Sequence, residues 1–214
     1  REFTQKLKEY DAVIQVGGSF FVDLYGVSQF EHILCALLAN KKIYLIGHSV
    51  GPFEGKNFNR VAKYSFSHVE LVQLRERVSY DIMVKYGFDM KNVSLSVDTA
   101  FLVGQNPDES NNYMIHHWSK LISDKKTIAI TVRKLAPFDK RLGVTQDQYE
   151  SAFAKIIDHY IDLGYQIITF STCTGIESYN NDDRIVGLSI KKLVQNKENY
   201  HVVMDELNDL QLGT

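Results

Sequence analysis

Cysteine is scarce in this chain of 214 residues, where Cys35 and Cys173 are the two that occur. Two thiols are too few for a disulfide framework or a cysteine-rich zinc site, and they fit a reducing compartment. Long apolar runs are missing as well, because the longest, at 33–39, has seven residues, whereas a membrane-spanning helix needs about 20. We therefore expect a cytoplasmic protein, and a peripheral position at the inner face of the membrane stays open.

An excess of charge of one sign is also absent. The 24 Lys and Arg residues are scattered and stand against 26 Asp and Glu, which leaves a formal charge of −2. Such a balance argues against nucleic-acid binding. The 44% content of hydrophobic residues indicates a globular protein and excludes disorder. No histidine pair has the helical spacing with a glutamate that zinc sites use, so we predict no metal.

Short apolar, β-branched runs alternate with segments of helical spacing along the first hundred residues. The predicted strands are 12–16, 43–46, 69–74 and 93–97, and the predicted helices are 28–39, 57–67 and 79–86. Near-continuous apolar strands separated by helices are typical of a parallel sheet covered on both faces. The first half therefore predicts a doubly wound α/β domain.

A polar segment around Pro107 interrupts this alternation, which then resumes with strands at 127–132, 166–170 and 201–204 and helices at 146–163 and 181–195. We predict an N-terminal domain at 1–105, a linker at 106–126 and the start of a second α/β domain at 127–214. The chain opens within an amphipathic helix and stops just after a helix start at Asp205. We expect both domains to be truncated, and these residues alone to self-associate and to be inactive.

In open parallel sheets, ligands bind beyond the carboxyl ends of the strands, so the residues after each predicted strand are candidates. Gly17, Gly18 and Ser19 follow the first strand, where paired glycines let backbone N–H groups approach a ligand. A tight turn without a ligand is an equal alternative. His48, between two glycines after the second strand, is a candidate acid or base. Its alternative is a hydrogen-bonded structural histidine.

Charged and hydroxyl residues follow the remaining strands. Arg75 comes after the third strand as a binding candidate, and Asp98 after the fourth, either as a catalytic carboxylate or as a capping residue. Arg133 ends the first strand of the second domain and is suited to fork onto a carboxylate or phosphate; a solvated arginine is the alternative. Thr172 and Thr174 lie in a glycine turn that suits an anionic group.

Six segments, in this order and spacing, resemble the polysaccharide pyruvyl transferase family, in particular its members from colanic acid biosynthesis in enteric bacteria. They are DAVIQVGGSFFVDLYG, GHSVGPF, LRERVSYDIM, VDTAFL, AITVRKLAPFDKRLG and STCTGIESYNNDDR. The resemblance runs along essentially the whole chain. It implies a GT-B-like arrangement of two α/β domains, with the acceptor on the N-terminal domain and the donor on the C-terminal one.

The resemblance also implies an activity. It implies a transferase that moves the enolpyruvyl group of phosphoenolpyruvate, a co-substrate, onto a terminal sugar of an exopolysaccharide repeat unit as a cyclic ketal, with no cofactor. The acceptor is expected to be a lipid-linked oligosaccharide. Arg133 corresponds to the donor-binding arginine, whereas the family's Arg-Leu-His motif, whose histidine we expect to be the acid, has no counterpart here. His48 and Asp98 remain candidates on the acceptor side.

Two other functions stay open. A GT-B glycosyltransferase that uses a nucleotide sugar would share the fold, because a fold alone does not settle the chemistry. A non-catalytic module of a polysaccharide-assembly complex is the third reading. Binding of phosphoenolpyruvate would separate the three.

Overall fold

A computed structural model of the chain describes residues 2–102, 113–175 and 181–208. The chain divides into two compact units, Arg1–Gly104 and Gln105–Thr214. We call them unit 1 and unit 2 and describe each by itself.

Unit 1 alternates strands and helices, as the spacing of its apolar residues predicts. Strands form where β-branched and large apolar residues cluster, and helices form where apolar residues recur every three or four positions. The elements in chain order are helix α1 (Glu2–Leu7), strand β1 (Ala12–Phe21), 3-10 turns at Asp23–Tyr25 and Val27–Phe30, helix α2 (Glu31–Leu38), strand β2 (Lys42–Val50), helix α3 (Lys56–Ser67), strand β3 (Leu71–Leu74), helix α4 (Arg77–Lys85), strand β4 (Val93–Leu95) and a 3-10 turn at Thr99–Leu102.

The four strands of unit 1 form a parallel sheet, sheet 1, in the order β1-β2-β3-β4. Helices α2, α3 and α4 contribute Ile33, Phe66 and Met83 to one shared core against this sheet. Right-handed crossovers that advance in one direction place their helices on one face, which explains the shared core. Ile14 and Val16 of β1 are 59% and 61% exposed. The predicted double winding is therefore not seen in the described part of unit 1.

Strands β1 and β2 run further than predicted. The sequence predicts turns directly after residues 16 and 46, but β1 continues to Phe21 and β2 to Val50. Gly17 and Gly18 have φ values of 58° and 105°, which lets the strand bend and still continue. Gly18 pairs with His48 across the two strands. His48 thus lies inside a strand and not in the predicted turn.

Unit 2 repeats the alternation. Thr145 and Gln148 form a capping box that starts one of its helices, and the Asp182 side chain accepts a bond from the backbone N–H of Arg184 at the start of another. The elements are helix α5 (Tyr113–Asp124), strand β5 (Thr127–Thr131), helix α6 (Asp139–Leu142), helix α7 (Gln146–Asp162), strand β6 (Gln166–Phe170), helix α8 (Asp183–Leu193), a 3-10 turn at Lys197–Asn199 and strand β7 (Tyr200–Val202).

The strands of unit 2 form a second parallel sheet, sheet 2, in the order β5-β6-β7. Ile157 of α7 and Ile190 of α8 share a core with Ile167 of β6. Gln166, at the start of β6, is also buried, and its Nε2 donates to the carbonyl of Leu121 in α5, 2.5 Å away. The two parallel sheets with their helices confirm the predicted α/β class.

Two other sequence expectations concern the linker and the chain end. The division at 105 and 126 stays a prediction, and residues 103–112 lie outside the described residues. The helix predicted from Asp205 is not formed at 205–208, and its remainder lies outside the described residues. The Asp205 carboxylate instead accepts a bond from Trp118 Nε1 of α5, 2.8 Å away.

No helix in the described ranges is long and apolar enough to cross a membrane. Within the same ranges, histidine, cysteine and acidic side chains form no group of three or more that could hold a metal ion. That no metal takes part stays a prediction.

Candidate functional site

Four polar side chains meet at the carboxyl end of sheet 1, where each lies near the end of a different strand or follows it. This polar cluster consists of Ser19, Ser49, Arg75 and Asp98. Parallel strands that lie side by side bring their carboxyl ends to one edge, so residues that are far apart in the chain become neighbours. The structure thus brings together the predicted candidates Ser19, Arg75 and Asp98.

Arg75 is the centre of the polar cluster, because each of its three guanidinium nitrogens has a different partner. Nε donates to Ser49 Oγ at 2.7 Å and Nη2 donates to Ser19 Oγ at 3.0 Å. Nη1 forms an ion pair with Asp98. The planar guanidinium, with five N–H donors in a fixed fork, serves these three acceptors at once. The arrangement holds the ends of β1, β2 and the segment after β4 in one geometry.

Asp98 is ionised in this setting. Its Oδ1 accepts a bond from the backbone N–H of Ala100 at 3.0 Å, and this bond, followed by the Arg75 guanidinium, lowers the pKa of the carboxyl group. A lowered pKa makes the carboxylate a weaker base but leaves it a good acceptor for hydroxyl hydrogens. With 31% of its side chain exposed, Asp98 is suited to accept a hydrogen bond from a hydroxyl group of a ligand.

Gly47 allows the backbone after β4 to approach this edge closely. Its φ is 72°, and a Cβ at this position would lie 3.0 Å from the Cγ2 of Thr99. Any larger residue would therefore push Thr99 and the adjoining Asp98 away from the sheet. The predicted Gly17 is also close to Thr99, because a Cβ there would lie 3.3 Å from the Thr99 Oγ1.

His48 has none of its surface exposed. Its Nε2 lies 3.3 Å from the carbonyl oxygen of Gln15, and because a carbonyl can only accept, Nε2 carries the hydrogen. The ring packs against Phe20 and Phe21, with centroid distances of 6.5 and 5.3 Å. Nδ1 is buried without a hydrogen-bond partner among the described residues. In this conformation the ring cannot touch a ligand, so proton transfer by His48 stays a prediction and the geometry favours its structural alternative.

The pH dependence of folding tests the structural role of His48. Burial lowers its pKa below the ordinary value of 6.5. As the pH falls through that value, the unfolded chain takes up a proton that the folded chain does not, and stability decreases. We expect the free energy of unfolding to fall between about pH 7.5 and about pH 5.5 in urea titrations. His48→Gln, whose amide can still donate to Gln15, should show a smaller fall.

The neighbouring groups set the control for this measurement. Burial also lowers the pKa of His32, so part of the decrease should persist in His48→Gln. Glu76 and Asp98 have lowered carboxyl pKa values, so they also make stability depend on pH. Their contribution is lost only below about pH 4.5, outside the range in which the histidines titrate. An equal decrease in wild type and variant would contradict the structural role.

In unit 2, the segment after β5 carries Arg133. We call residues 133–135 the Arg133 loop. The guanidinium is exposed and its carbon lies 5.5 Å from the ring centroid of Phe138. Across the described ranges, no acidic side chain forms an ion pair with it. Its charge is therefore available to an anionic ligand.

Side chains hold every backbone N–H of the Arg133 loop. In chain order, these groups donate to Tyr149 Oη at 3.3 Å, to Asp183 Oδ1 at 3.3 Å and to Gln146 Oε1 at 2.8 Å. The acceptors come from both α7 and α8. A loop fixed in this way presents Arg133 in a set direction.

The turn after β6, at 171–175, lies next to this loop. Thr172 Oγ1 donates to Asp183 Oδ2 at 3.3 Å, so Thr172 and the Arg133 loop share one carboxylate. The backbone of Thr174 pairs with Asp182, and its carbonyl accepts a bond from Arg184 Nη2 at 3.0 Å. Burial and Asp183 raise the pKa of Cys173, which keeps it a thiol and not a nucleophilic thiolate.

Sequence reasoning missed the supporting residues Asp183, Tyr149 and Gln146. The adjacent acids Asp182 and Asp183 at the start of a predicted helix are a visible capping signal. That one of them caps the helix while the other bonds a distant loop depends on tertiary packing. No local pattern marks Tyr149 or Gln146.

A cavity of about 410 Å³ opens elsewhere in unit 2, at the amino end of β6, where Gln166, His117 and His201 line it. Ligands of parallel sheets bind at the opposite ends of the strands, and the predicted site residues lie away from this cavity. We therefore take the polar cluster and the Arg133 loop as the candidate site residues of their respective units.

Comparison with known proteins gives matches along nearly the whole chain. A family model described as polysaccharide pyruvyl transferase matches residues 1–210. The chain is also 57% identical over 213 residues to the amylovoran biosynthesis protein AmsJ of Erwinia amylovora, a match that covers 100% of this chain and 51% of that protein. The chain thus spans about half the length of this curated relative. Both matches include the polar cluster and the Arg133 loop.

Proposed function

This chain belongs to the polysaccharide pyruvyl transferase family, and from that membership we propose that it transfers the enolpyruvyl group of phosphoenolpyruvate to a sugar. The acceptor is a terminal sugar of a lipid-linked exopolysaccharide repeat unit, and the product is a cyclic ketal. The proposal includes a GT-B-like fold, a cytoplasmic location and no cofactor. A role in colanic acid synthesis and a homo-oligomeric state remain predictions.

Arg133 carries the donor side of the proposal. Phosphoenolpyruvate brings a carboxylate and a phosphate, and an exposed guanidinium without an acidic partner in the described ranges matches either group. The hydroxyl of Thr172 and the turn that contains Thr174 lie beside the same loop. This arginine just beyond β5, without an acidic partner in the described ranges, is the structural observation that supports the proposed donor.

The reaction needs one acid and one base. Protonation of the methylene carbon forms a C–H bond and leaves positive charge on the carbon that bears the phosphate. One sugar hydroxyl attacks that carbon and gives its proton to the base. Phosphate then leaves, and the second hydroxyl closes the ketal. The two sugar hydroxyls lose two protons in total. One of them makes up for the proton that the acid gave to the methylene carbon, and the other leaves on the phosphate.

The polar cluster carries the acceptor side of the proposal. The Asp98 carboxylate accepts hydrogen bonds from sugar hydroxyls, and the Ser19 hydroxyl, whose oxygen already accepts from Arg75, can donate its hydrogen. Arg75 fixes both side chains. Gly17 and Gly18 let the backbone beside Ser19 approach the sugar.

A ligand comparison tests the donor. The complete gene product should be stabilised in a thermal-shift measurement by phosphoenolpyruvate, by about 3 kcal/mol at a hundredfold excess over Kd, and not by nucleotide sugars. It should also release phosphate from phosphoenolpyruvate when a suitable glycan acceptor is added. Stabilisation by a nucleotide sugar alone would support a glycosyltransferase, and binding of the glycan alone would support an assembly module. Either result would overturn the proposal.

A further inference from the structure

The Asp183 side chain forms hydrogen bonds with both predicted donor segments. Its Oδ1 accepts from the backbone N–H of Lys134 at 3.3 Å, and its Oδ2 accepts from Thr172 Oγ1 at 3.3 Å. Its own backbone N–H donates to the carbonyl of Cys173 at 2.9 Å. The residue therefore ties the loop after β5 to the turn after β6.

The burial of this carboxylate shows that its bonds are needed. Asp183 is 1% exposed, and a buried carboxylate is costly unless hydrogen-bond donors compensate it. Lys134 N–H and the Thr172 hydroxyl supply two donors. Asp183 is also the first residue of α8, where the positive end of the helix dipole favours an acid. The charge is thus stabilised behind the Arg133 loop and not presented to solvent.

The two oxygens give Asp183 a function that a neutral residue lacks. In Asn, one of these two oxygen positions is an NH2 group that only donates, so the acceptor for Lys134 N–H and the acceptor for the Thr172 hydroxyl cannot both be kept in place. A carboxylate fixes both segments at once. Because the Arg133 backbone N–H is held only by a 3.3 Å bond to Tyr149 Oη, the adjacent bond at Lys134 contributes to the direction of the Arg133 side chain.

We propose that Asp183 is a positioning residue for the donor. Its carboxylate holds the Arg133 loop against the Thr172 turn and so fixes the position from which the Arg133 guanidinium binds an anionic ligand. The part of this inference that concerns phosphoenolpyruvate rests on the proposed function. The part that concerns the loop does not.

Hydrogen exchange tests the loop independently of any ligand. In Asp183→Ala, the backbone amides of 133–135 should exchange at least about tenfold faster than in wild type, because one of their three bonds is lost. Tyr200→Phe is the matched control. It removes the buried hydroxyl that accepts from Thr169 Oγ1 at 2.8 Å, so it costs stability in the same unit without removing a hydrogen bond to the loop. Equal exchange in the two variants, at equal stability, would overturn the inference.

Donor affinity tests the link to function, measured well below the melting temperature of every variant of the complete gene product. Asp183→Ala should raise the Kd of phosphoenolpyruvate about tenfold, Asp183→Asn should raise it less, and Tyr200→Phe should leave it unchanged. In Arg133→Ala, adding Asp183→Ala should cause no further rise. If wild type binds and Asp183→Ala binds equally well, or if Asp183→Asn binds more tightly, the positioning role is wrong. If wild type does not bind, the proposed function fails, and the exchange experiment still decides the role of Asp183 in the loop.

Discussion

Arg133→Ala is expected to weaken phosphoenolpyruvate binding by about 1.5–3 kcal/mol, which is roughly a 10- to 150-fold rise in Kd. The guanidinium has no acidic partner within the described ranges, so its full charge is available to the donor. Arg133→Lys should recover only part of the affinity, because an ammonium group cannot fork onto two oxygens. Isothermal titration of the complete gene product measures the effect.

The adjacent lysine offers a matched control. Lys134 is exposed and carries the same charge one residue further along, so Lys134→Ala removes an equal charge from the same loop and keeps the backbone N–H that Asp183 binds. We expect less than about a threefold change, as for an exposed charge in water. Equal losses in Arg133→Ala and Lys134→Ala would show a general effect of charge and would remove Arg133 from the binding site.

Phe21→Ala should lower the free energy of unfolding of unit 1 by about 3–5 kcal/mol, the range for a fully buried Phe. Phe21 is 0% exposed. Its ring stacks on Phe30 with a centroid distance of 5.1 Å and meets Phe66 edge-on at 5.2 Å. Truncation leaves a cavity among these rings and beside His48. Urea denaturation followed by circular dichroism measures the loss.

The same substitution at an exposed phenylalanine separates burial from residue type. Phe101 is 83% exposed, and Phe101→Ala should change the free energy of unfolding by no more than about 0.5 kcal/mol. Phe21 also ends β1, two residues beyond Ser19, so its loss should loosen the strand end that carries part of the polar cluster. A similar, small effect at both positions would mean that the packing around Phe21 is not what holds this strand.

The positions of the strands could be predicted because each has a short run of β-branched and large apolar residues. Their ends could not. The glycines at 17, 18 and 47 are local turn signals, yet pairing between β1 and β2 continues past them, as the Gly18 and His48 partners show. The order of the strands within a sheet cannot be predicted from local sequence patterns either. The sequential order of sheet 1, which places α2, α3 and α4 in one core, is decided by how the crossovers pack.

The same limit applies to the candidate site: the sequence predicts where its residues lie but not what they contact. That Arg75, Asp98 and Arg133 follow strands is visible in the sequence, and parallel sheets then predict their location. That Arg75 binds Ser19, Ser49 and Asp98 together is decided by the register of four strands. The burial of His48 and the double contact of Asp183 arise only when distant segments meet. Sequence patterns therefore located the edges of the two sheets better than they assigned roles to the side chains there.

The origin of the supporting side chains has a consequence for evolution and for engineering. Among the described residues, the polar cluster is held by hydrogen bonds within unit 1, and the Arg133 loop is held by side chains of α7 and α8 in unit 2. Substitutions that share no hydrogen-bond partner act additively. A library that varies Ser19, Ser49 and their neighbours therefore leaves the bonds of the Arg133 loop intact. Under the proposed function, substitutions in the polar cluster can therefore change which sugar is preferred as acceptor, while the binding of phosphoenolpyruvate by the Arg133 loop stays the same.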